Sequence, residues 1–205
     1  REKDIIWIGA GYNAAERING ISVDVNTIYG KNVVYKSAAN DKYQIYFGAT
    51  GEKTGFKFKK VTGLAAGDFF YVKTTKNSHN GMIIDEEGNE IYSGLRNIAD
   101  DIVADDGGWR SSIGIENDRF ICGETKEGLV ILDAKRNFRV IRRYKGYKID
   151  SGDEIYKTKV NNRRHIRIRD KAKGRLGYLW LSQKSGVSGI IIKNLAKNAE
   201  LLMNR

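Results

Sequence analysis

The sequence repeats one short pattern, in which an apolar run, a polar loop, a glycine and another apolar run follow each other. Residues 119–133 carry it most clearly, with Gly123 and Gly128 on either side of the polar loop. Two short apolar runs separated by a glycine-containing polar loop are typical of a β-hairpin. Four further segments follow the pattern, and they span residues 6–24, 45–58, 70–85 and 179–192. The repeat therefore predicts an all-β chain built from antiparallel hairpins.

The remaining composition agrees with this prediction. Proline is absent from the 205 residues, so the turns must depend on residues such as glycine, of which there are 23. Only residues 195–203 combine apolar residues at helical spacing with an absence of glycine, and they predict a short C-terminal helix. We predict a single all-β domain over residues 1–205, a length that can bury a core without disulfides.

The best-formed repeats place an aromatic or apolar triplet before a glycine. Ile6-Trp7-Ile8-Gly9 precedes Gly20-Ile21, and the triplet at 120–122 precedes Gly128-Leu129 in the same way. This pattern resembles β-propeller repeats of the two-component-regulator type, which implies blades that bind ligands or partners and implies no particular reaction. The equivalent positions of the five repeats lie 39, 25, 50 and 59 residues apart, whereas a propeller blade takes roughly 40–50. The predicted fold class is therefore all-β, either propeller-like or made of stacked antiparallel hairpins.

Charge is distributed unevenly along the chain. Residues 134–205 hold 20 Lys/Arg and 5 Asp/Glu, a net charge of +15, and residues 1–133 have a net charge of −4. The overall charge of +11 is therefore a property of the basic C-terminal third, 134–205. Such asymmetry favours contact with a polyanion or an acidic partner. No apolar run approaches the length of a membrane span.

Basic side chains recur at odd positions within the C-terminal third, while Ile166 and Ile168 occupy even positions. On a β-strand, this alternation places the cations on one face and the isoleucines on the core face. Strand geometry is expected to end near Arg169, because residues 172–174 predict a turn. The row is either a solvated outer face or an anion-binding surface. The predicted anion-binding residues are Arg142, Arg143, Lys157, Lys159, Arg163, His165, Arg167, Arg169, Lys171, Lys173 and Arg175.

Aromatic residues within the basic region are candidates for stacking on bases or sugars. Tyr144 and Tyr147 lie in this region and are the predicted stacking residues. Trp7 and Trp180 occur inside apolar triplets, so we predict that they belong to the core.

Catalytic motifs are not recognisable in the sequence. There are two histidines, His79 and His165, and no arrangement typical of a nucleophilic triad, a metal site or a phosphate-binding glycine loop. Cys122 lies in an apolar run, which predicts a buried and unreactive thiol. Acidic pairs at 86–87, 100–101 and 105–106 leave open a metal-dependent hydrolase or nuclease that uses these turns with a histidine.

The sequence therefore predicts a non-catalytic binding or structural module whose basic C-terminal third contacts an anionic partner. Nucleic acid, a polyanionic glycan and an acidic protein subunit all fit this charge. A subunit of a larger or viral assembly also fits a chain with no catalytic motif. No cofactor and no metal site are predicted, and the hydrolase or nuclease is the alternative.

Overall fold

The structure is a computed structural model that describes residues 15–18, 21–76, 78–99, 103–105, 110–112, 118–150 and 163–192. Within these residues the chain is all-β, its sheets are antiparallel, and the only helices are two three-residue 3-10 turns. The predicted all-β class is confirmed. The described strands form open antiparallel sheets that are built from hairpins. They do not form a propeller. The predicted helix at 195–203 and the first triplet, at 6–8, lie outside the described residues.

The chain divides into two compact units, residues 1–93 and 94–205. The single all-β domain over residues 1–205 stays a prediction. The first unit contains a four-stranded sheet in the order β1-β2-β3-β4, and the antiparallel strands β5, β6 and β7. The strands are β1 (Ala15–Ile18), β2 (Ile21–Tyr29), β3 (Asn32–Ser37), β4 (Tyr43–Tyr46), β5 (Lys60–Leu64), β6 (Phe69–Lys73) and β7 (Gly81–Asp85).

One hydrophobic cluster joins strands of this first unit. Val34 and Ile45 contribute from β3 and β4, and Phe70 and Val72 contribute from β6. Phe70 also contacts Tyr29 edge-on, with ring centroids 5.7 Å apart. Aromatic pairs in this geometry add stability beyond the apolar area that they bury.

Strand β8 (Glu90–Ile98) runs across the boundary between the units, and the described residues of the second unit form nine further strands. They are β9 (Val103–Asp105), β10 (Arg110–Ser112), β11 (Phe120–Thr125), β12 (Gly128–Asp133), β13 (Arg139–Lys145), β14 (Tyr147–Ile149), β15 (Arg163–Asp170), β16 (Leu176–Ser182) and β17 (Ser188–Ile192). The end of β8 pairs with β11. Strand β11 also pairs with β12, and β12 pairs with β13. Strands β14-β15-β16-β17 form a separate antiparallel sheet, which we name the C-terminal sheet.

The core of the second unit lies between these two sheets. The β11 and β12 side contributes Phe120, Cys122, Leu129 and Ile131, and the C-terminal sheet contributes Ile166, Ile168, Leu179 and Leu181. Burying each of these aliphatic side chains stabilises the fold by roughly 1.5–3 kcal/mol. The core therefore fixes which face of β15 and β16 points inward.

Three of the predicted hairpins are confirmed. They are β6–β7, β11–β12 and β16–β17, with Val72 opposite Met82, Cys122 opposite Ile131 and Trp180 opposite Gly189. The second repeat is looser, because residues 53–58 pair with β4 only through isolated bridges. Gly51 and Gly55 adopt positive φ in this return segment, which prevents regular strand geometry there.

Strand β14 (Tyr147–Ile149) pairs with the end of β15. Gly146, at φ +77°, makes the corner that carries the chain from β13 into the C-terminal sheet. The pairing partners of β14 lie about twenty residues away, so local sequence did not indicate the strand.

Candidate functional site

Strand β15 lies inside the C-terminal sheet, between β14 and β16, and its two faces differ sharply. Ile166 and Ile168 are 4% and 0% exposed and belong to the core. Arg167 and Arg169 occupy the intervening positions and are partly exposed. The predicted orientation of the basic row is therefore confirmed for these two arginines. The alternation of strand side chains and the burial of the isoleucines together produce it.

The neighbouring strand β16 adds aromatic side chains to the outer face. His165 pairs with Trp180, and Arg167 pairs with Tyr178. Residues directly opposite each other on antiparallel strands project from the same face of the sheet, with β-carbons roughly 4.5–5.5 Å apart. Cationic and aromatic columns thus stand side by side. We name this surface the basic–aromatic face, and it comprises His165, Arg167, Arg169, Tyr178, Trp180, Gly189 and Ile191.

Trp180 belongs to this outer face and not to the core, so the prediction that placed it in the core is wrong. Its neighbours Leu179 and Leu181 are both 0% exposed, whereas Trp180 is partly exposed. Since the two leucines face inward, the residue between them must face outward. The indole lies over Gly189 of β17, where an added β-carbon would be 2.7 Å from Trp180 Nε1. The glycine therefore provides the space that the ring occupies.

Asp150 is the acidic residue beside the basic–aromatic face. Its Oδ2 lies 2.7 Å from Arg167 Nε in an ion pair, and its Oδ1 accepts a hydrogen bond from Arg169 Nε at 3.2 Å. Arg167 is 17% exposed and Arg169 is 34% exposed. Arg169 also donates through Nη1 to Gly174 O at 2.7 Å. One carboxylate is therefore shared between two guanidinium groups.

Strand β14 holds Asp150 in this position. Asp150 N donates to Arg167 O at 3.0 Å, and Ile149 N donates to Glu124 Oε2 at 3.0 Å. Glu124 is 3% exposed, so this bond is shielded from water. Lys148 pairs with Arg169, which adds another cation to the same face of the sheet.

The hairpin between β15 and β16 carries the end of the predicted row. Lys171, Lys173 and Arg175 are all exposed at this turn. Asp170 closes it, because its Oδ1 accepts from Lys173 N at 3.2 Å and its Oδ2 accepts from Arg175 Nη2 at 3.1 Å. The hydrogen bond from Lys173 N, together with Arg175, lowers the pKa of Asp170 from its ordinary value. Lys171 Nζ donates to Lys126 O at 3.0 Å, which ties the turn to the β11–β12 hairpin.

Three of the predicted residues, Arg142, Arg143 and Tyr144, lie on strand β13, whereas Tyr147 begins β14 and pairs with Asp170 at the end of β15. Arg142 and Arg143 are consecutive and exposed on β13, in the other sheet of the unit. Tyr144 and Tyr147 pack partly against the core cluster, and the Tyr144 hydroxyl lies 2.8 Å from Ser188 Oγ. Their stacking role stays a prediction. Lys157, Lys159 and the side chain of Arg163 lie outside the described part of the chain.

The hydrolase or nuclease alternative stays a prediction. The described residues contain no group of three or more His, Cys, Asp and Glu residues placed to hold a metal ion. His79 is exposed on its loop, and Glu86 pairs with Lys31 at 3.2 Å. Asp100, Asp101 and Asp106 lie outside the described residues.

Sequence reasoning missed two parts of this site. Tyr178 and Trp180 lie opposite Arg167 and His165 on the neighbouring strand, and their alternation with Leu179 and Leu181 was a usable signal. Asp150 gave no signal, because its contacts with Arg167 and Arg169 span 17 and 19 residues.

No family model, curated protein or solved structure matches the chain. No helix within the described residues is long and apolar enough to cross a membrane.

Proposed function

We propose that this chain is a non-catalytic binding module that holds an anionic partner on the basic–aromatic face of its C-terminal sheet. The observation that carries the proposal is the column formed by His165, Arg167 and Arg169 beside the column formed by Tyr178 and Trp180. Cations at alternate positions of a strand are roughly 6.6–6.8 Å apart, so they can engage successive charges of an extended anion. Arginine forks suit phosphate, sulfate and carboxylate groups.

Charge balance supports the same function. The described part of the basic C-terminal third contains 15 Lys/Arg and 2 acidic residues. Both acidic residues are already engaged, Asp150 by Arg167 and Arg169, and Asp170 by Arg175. A strong excess of positive charge therefore remains at this end of the unit. Such an excess raises the local concentration of anions and speeds their association.

A heparin column tests this function with two matched variants. The first variant replaces Arg163, Arg167 and Arg169 by Ser. The control replaces Lys53, Lys57 and Lys76, which are exposed in the first unit, by Ser and so removes the same charge. We expect the wild type and the control to elute at similar salt concentrations, and the arginine variant to elute at a clearly lower one. If the elution salt concentration fell equally for both variants, heparin binding would depend on net charge and not on a defined surface.

Circular dichroism must accompany the column experiment. Removing the arginines leaves Asp150 without its two partners, and its side chain is 11% exposed. An unchanged strand spectrum and melting temperature would show that the weaker retention reflects the surface. The added substitution Asp150→Asn removes the unpaired charge if the triple variant unfolds.

A further inference from the structure

We infer that the anionic partner is a single-stranded nucleic acid whose bases stack on Trp180 and Tyr178 while its phosphates contact the cations of β15. This inference rests on the proposed function and specifies its ligand. It follows from the pairing of the two columns, which places a ring opposite a basic residue in two successive pairs on this face, His165–Trp180 and Arg167–Tyr178.

Both rings lie on the face of β16 that points away from the core. Leu179 and Leu181 complete the inward face of β16, and Tyr178 and Trp180 are partly exposed on the opposite face. Ile191 of β17 pairs with Tyr178 and is 59% exposed, so the outer face is apolar as well as basic. Flat apolar groups beside guanidinium groups match a ligand that alternates flat bases with phosphates.

Gly189 contributes to the shape of the surface. Its missing β-carbon leaves room for the indole, since an added β-carbon would be 2.7 Å from Nε1 and 2.9 Å from Cε2 of Trp180. Tyr178 has Ile191 at the equivalent position of β17. Gly189 therefore lets the indole of Trp180 extend over β17, and a larger residue there would displace it.

A single strand fits this surface better than the other anions do. Bases in a duplex are paired and stacked on each other, and reaching them requires an element that enters a groove. Single strands leave their bases free to stack on aromatic side chains of an open sheet. A sulfated glycan and an acidic protein surface supply charge, but they lack a regular series of flat aromatic groups that would use the column of rings.

Fluorescence anisotropy with two oligonucleotides of equal length tests the inference. One is oligo(dT), and the other is an abasic deoxyribose-phosphate strand, which has the same charge and no bases. We expect the wild type to bind oligo(dT) more tightly. Replacing Trp180 by Leu should weaken oligo(dT) binding by roughly 5-fold to 150-fold, the range for loss of one stacked base, and should leave abasic binding unchanged.

Two further variants make the test specific. Gly189→Ala should displace the indole and weaken oligo(dT) binding without changing the charge. Tyr92→Leu removes a partly exposed ring from the first unit and should have no effect. Equal affinity of the wild type for both strands would overturn the inference, and so would a preference for oligo(dT) that survives Trp180→Leu. Both results leave the proposed function intact, whereas failure to bind heparin or either strand at low salt would overturn both.

Discussion

Arg167 Nε lies 2.7 Å from Asp150 Oδ2, so an arginine of the basic–aromatic face is already paired with a carboxylate of its own chain. Any external anion must compete with Asp150 for this guanidinium group. We predict that Asp150→Asn strengthens heparin binding by about 1.5-fold to 5-fold, because partly exposed ion pairs contribute roughly 0.2–1 kcal/mol. Isothermal titration calorimetry at low salt would measure the change.

The control for Asp150→Asn is Asp41→Asn, which breaks the Lys36–Asp41 ion pair of the first unit and removes the same charge. Its heparin affinity should change much less. A weaker affinity for Asp150→Asn would contradict the competition and show that Asp150 orients the arginines for binding.

A second ion pair stabilises the second unit from the core side of β15. Arg164 and Asp118 are 4% and 3% exposed, and Arg164 Nε donates to Asp118 Oδ2. Removing one member of a buried pair leaves an uncompensated charge and costs roughly 3–5 kcal/mol. We therefore expect Asp118→Ala to lower the free energy of unfolding by about that amount in urea titrations.

The more exposed Lys31–Glu86 pair provides the comparison for this effect. Glu86→Gln should cost less than about 1 kcal/mol. The double substitution Asp118→Leu with Arg164→Met should cost less than Asp118→Ala alone, because it leaves no buried charge. If Asp118→Ala lowered the free energy of unfolding as little as Glu86→Gln does, the buried pair would not stabilise the fold as proposed.

The acid sensitivity of the second unit should depend partly on Asp133. Arg119 donates from Nε and Nη2 to the two carboxylate oxygens at 3.0 and 2.9 Å, and these bonds lower the pKa of Asp133 from its ordinary value of 3.8. A lowered pKa contributes stability that is present above pH 4 and is lost as pH falls through the pKa of the folded state. We predict that Asp133→Asn reduces stability at pH 7 and flattens the loss of stability in acid.

Urea unfolding of the wild type and Asp133→Asn from pH 7 down to pH 2 would measure this effect. The difference between the two proteins should be largest at neutral pH and should shrink below about pH 4. A constant difference over the whole range would mean that the charge of Asp133 makes no contribution.

Cys122 should be unreactive in the folded protein. Its side chain is 2% exposed, and burial, with a smaller contribution from the charge of Glu124, raises the pKa of its thiol to about 12. Since the thiolate is the reactive form, a disulfide reagent should modify native protein at pH 8 far more slowly than protein unfolded in urea. Similar rates in the two states would show that β11 opens readily or that the thiol is accessible.

Local patterns predicted the parts of the fold that depend on neighbouring residues. The glycine-bounded runs located β11–β12 and β16–β17, because a hairpin pairs segments that are close in the chain. The alternation of Ile166 and Ile168 with arginines indicated the orientation of β15, because successive side chains project from opposite faces of a strand. Both signals depend on residues that are close in the sequence.

Long-range pairing was not predictable in this way. Arg164 and Asp118 are 46 residues apart, and β14 is a strand only because β15 returns beside it. Trp180 was misplaced because an apolar triplet was taken as wholly buried, although a strand exposes every second residue when only one face is covered. The sequence indicated the basic residues of β15, but it did not indicate which residues of β14 and β16 lie beside them.

The salt dependence of polyanion binding tests the central claim most directly. Binding of a fluorescent oligo(dT) would be measured by anisotropy across a series of salt concentrations for the wild type and the Arg163, Arg167 and Arg169→Ser variant. We predict a steep linear fall of log affinity with log salt for the wild type. The variant should show a slope shallower by about 2, since each lost phosphate contact on a single strand contributes about 0.7. Absence of wild-type binding to both oligo(dT) and heparin at low salt, or an unchanged slope in the variant, would contradict the account.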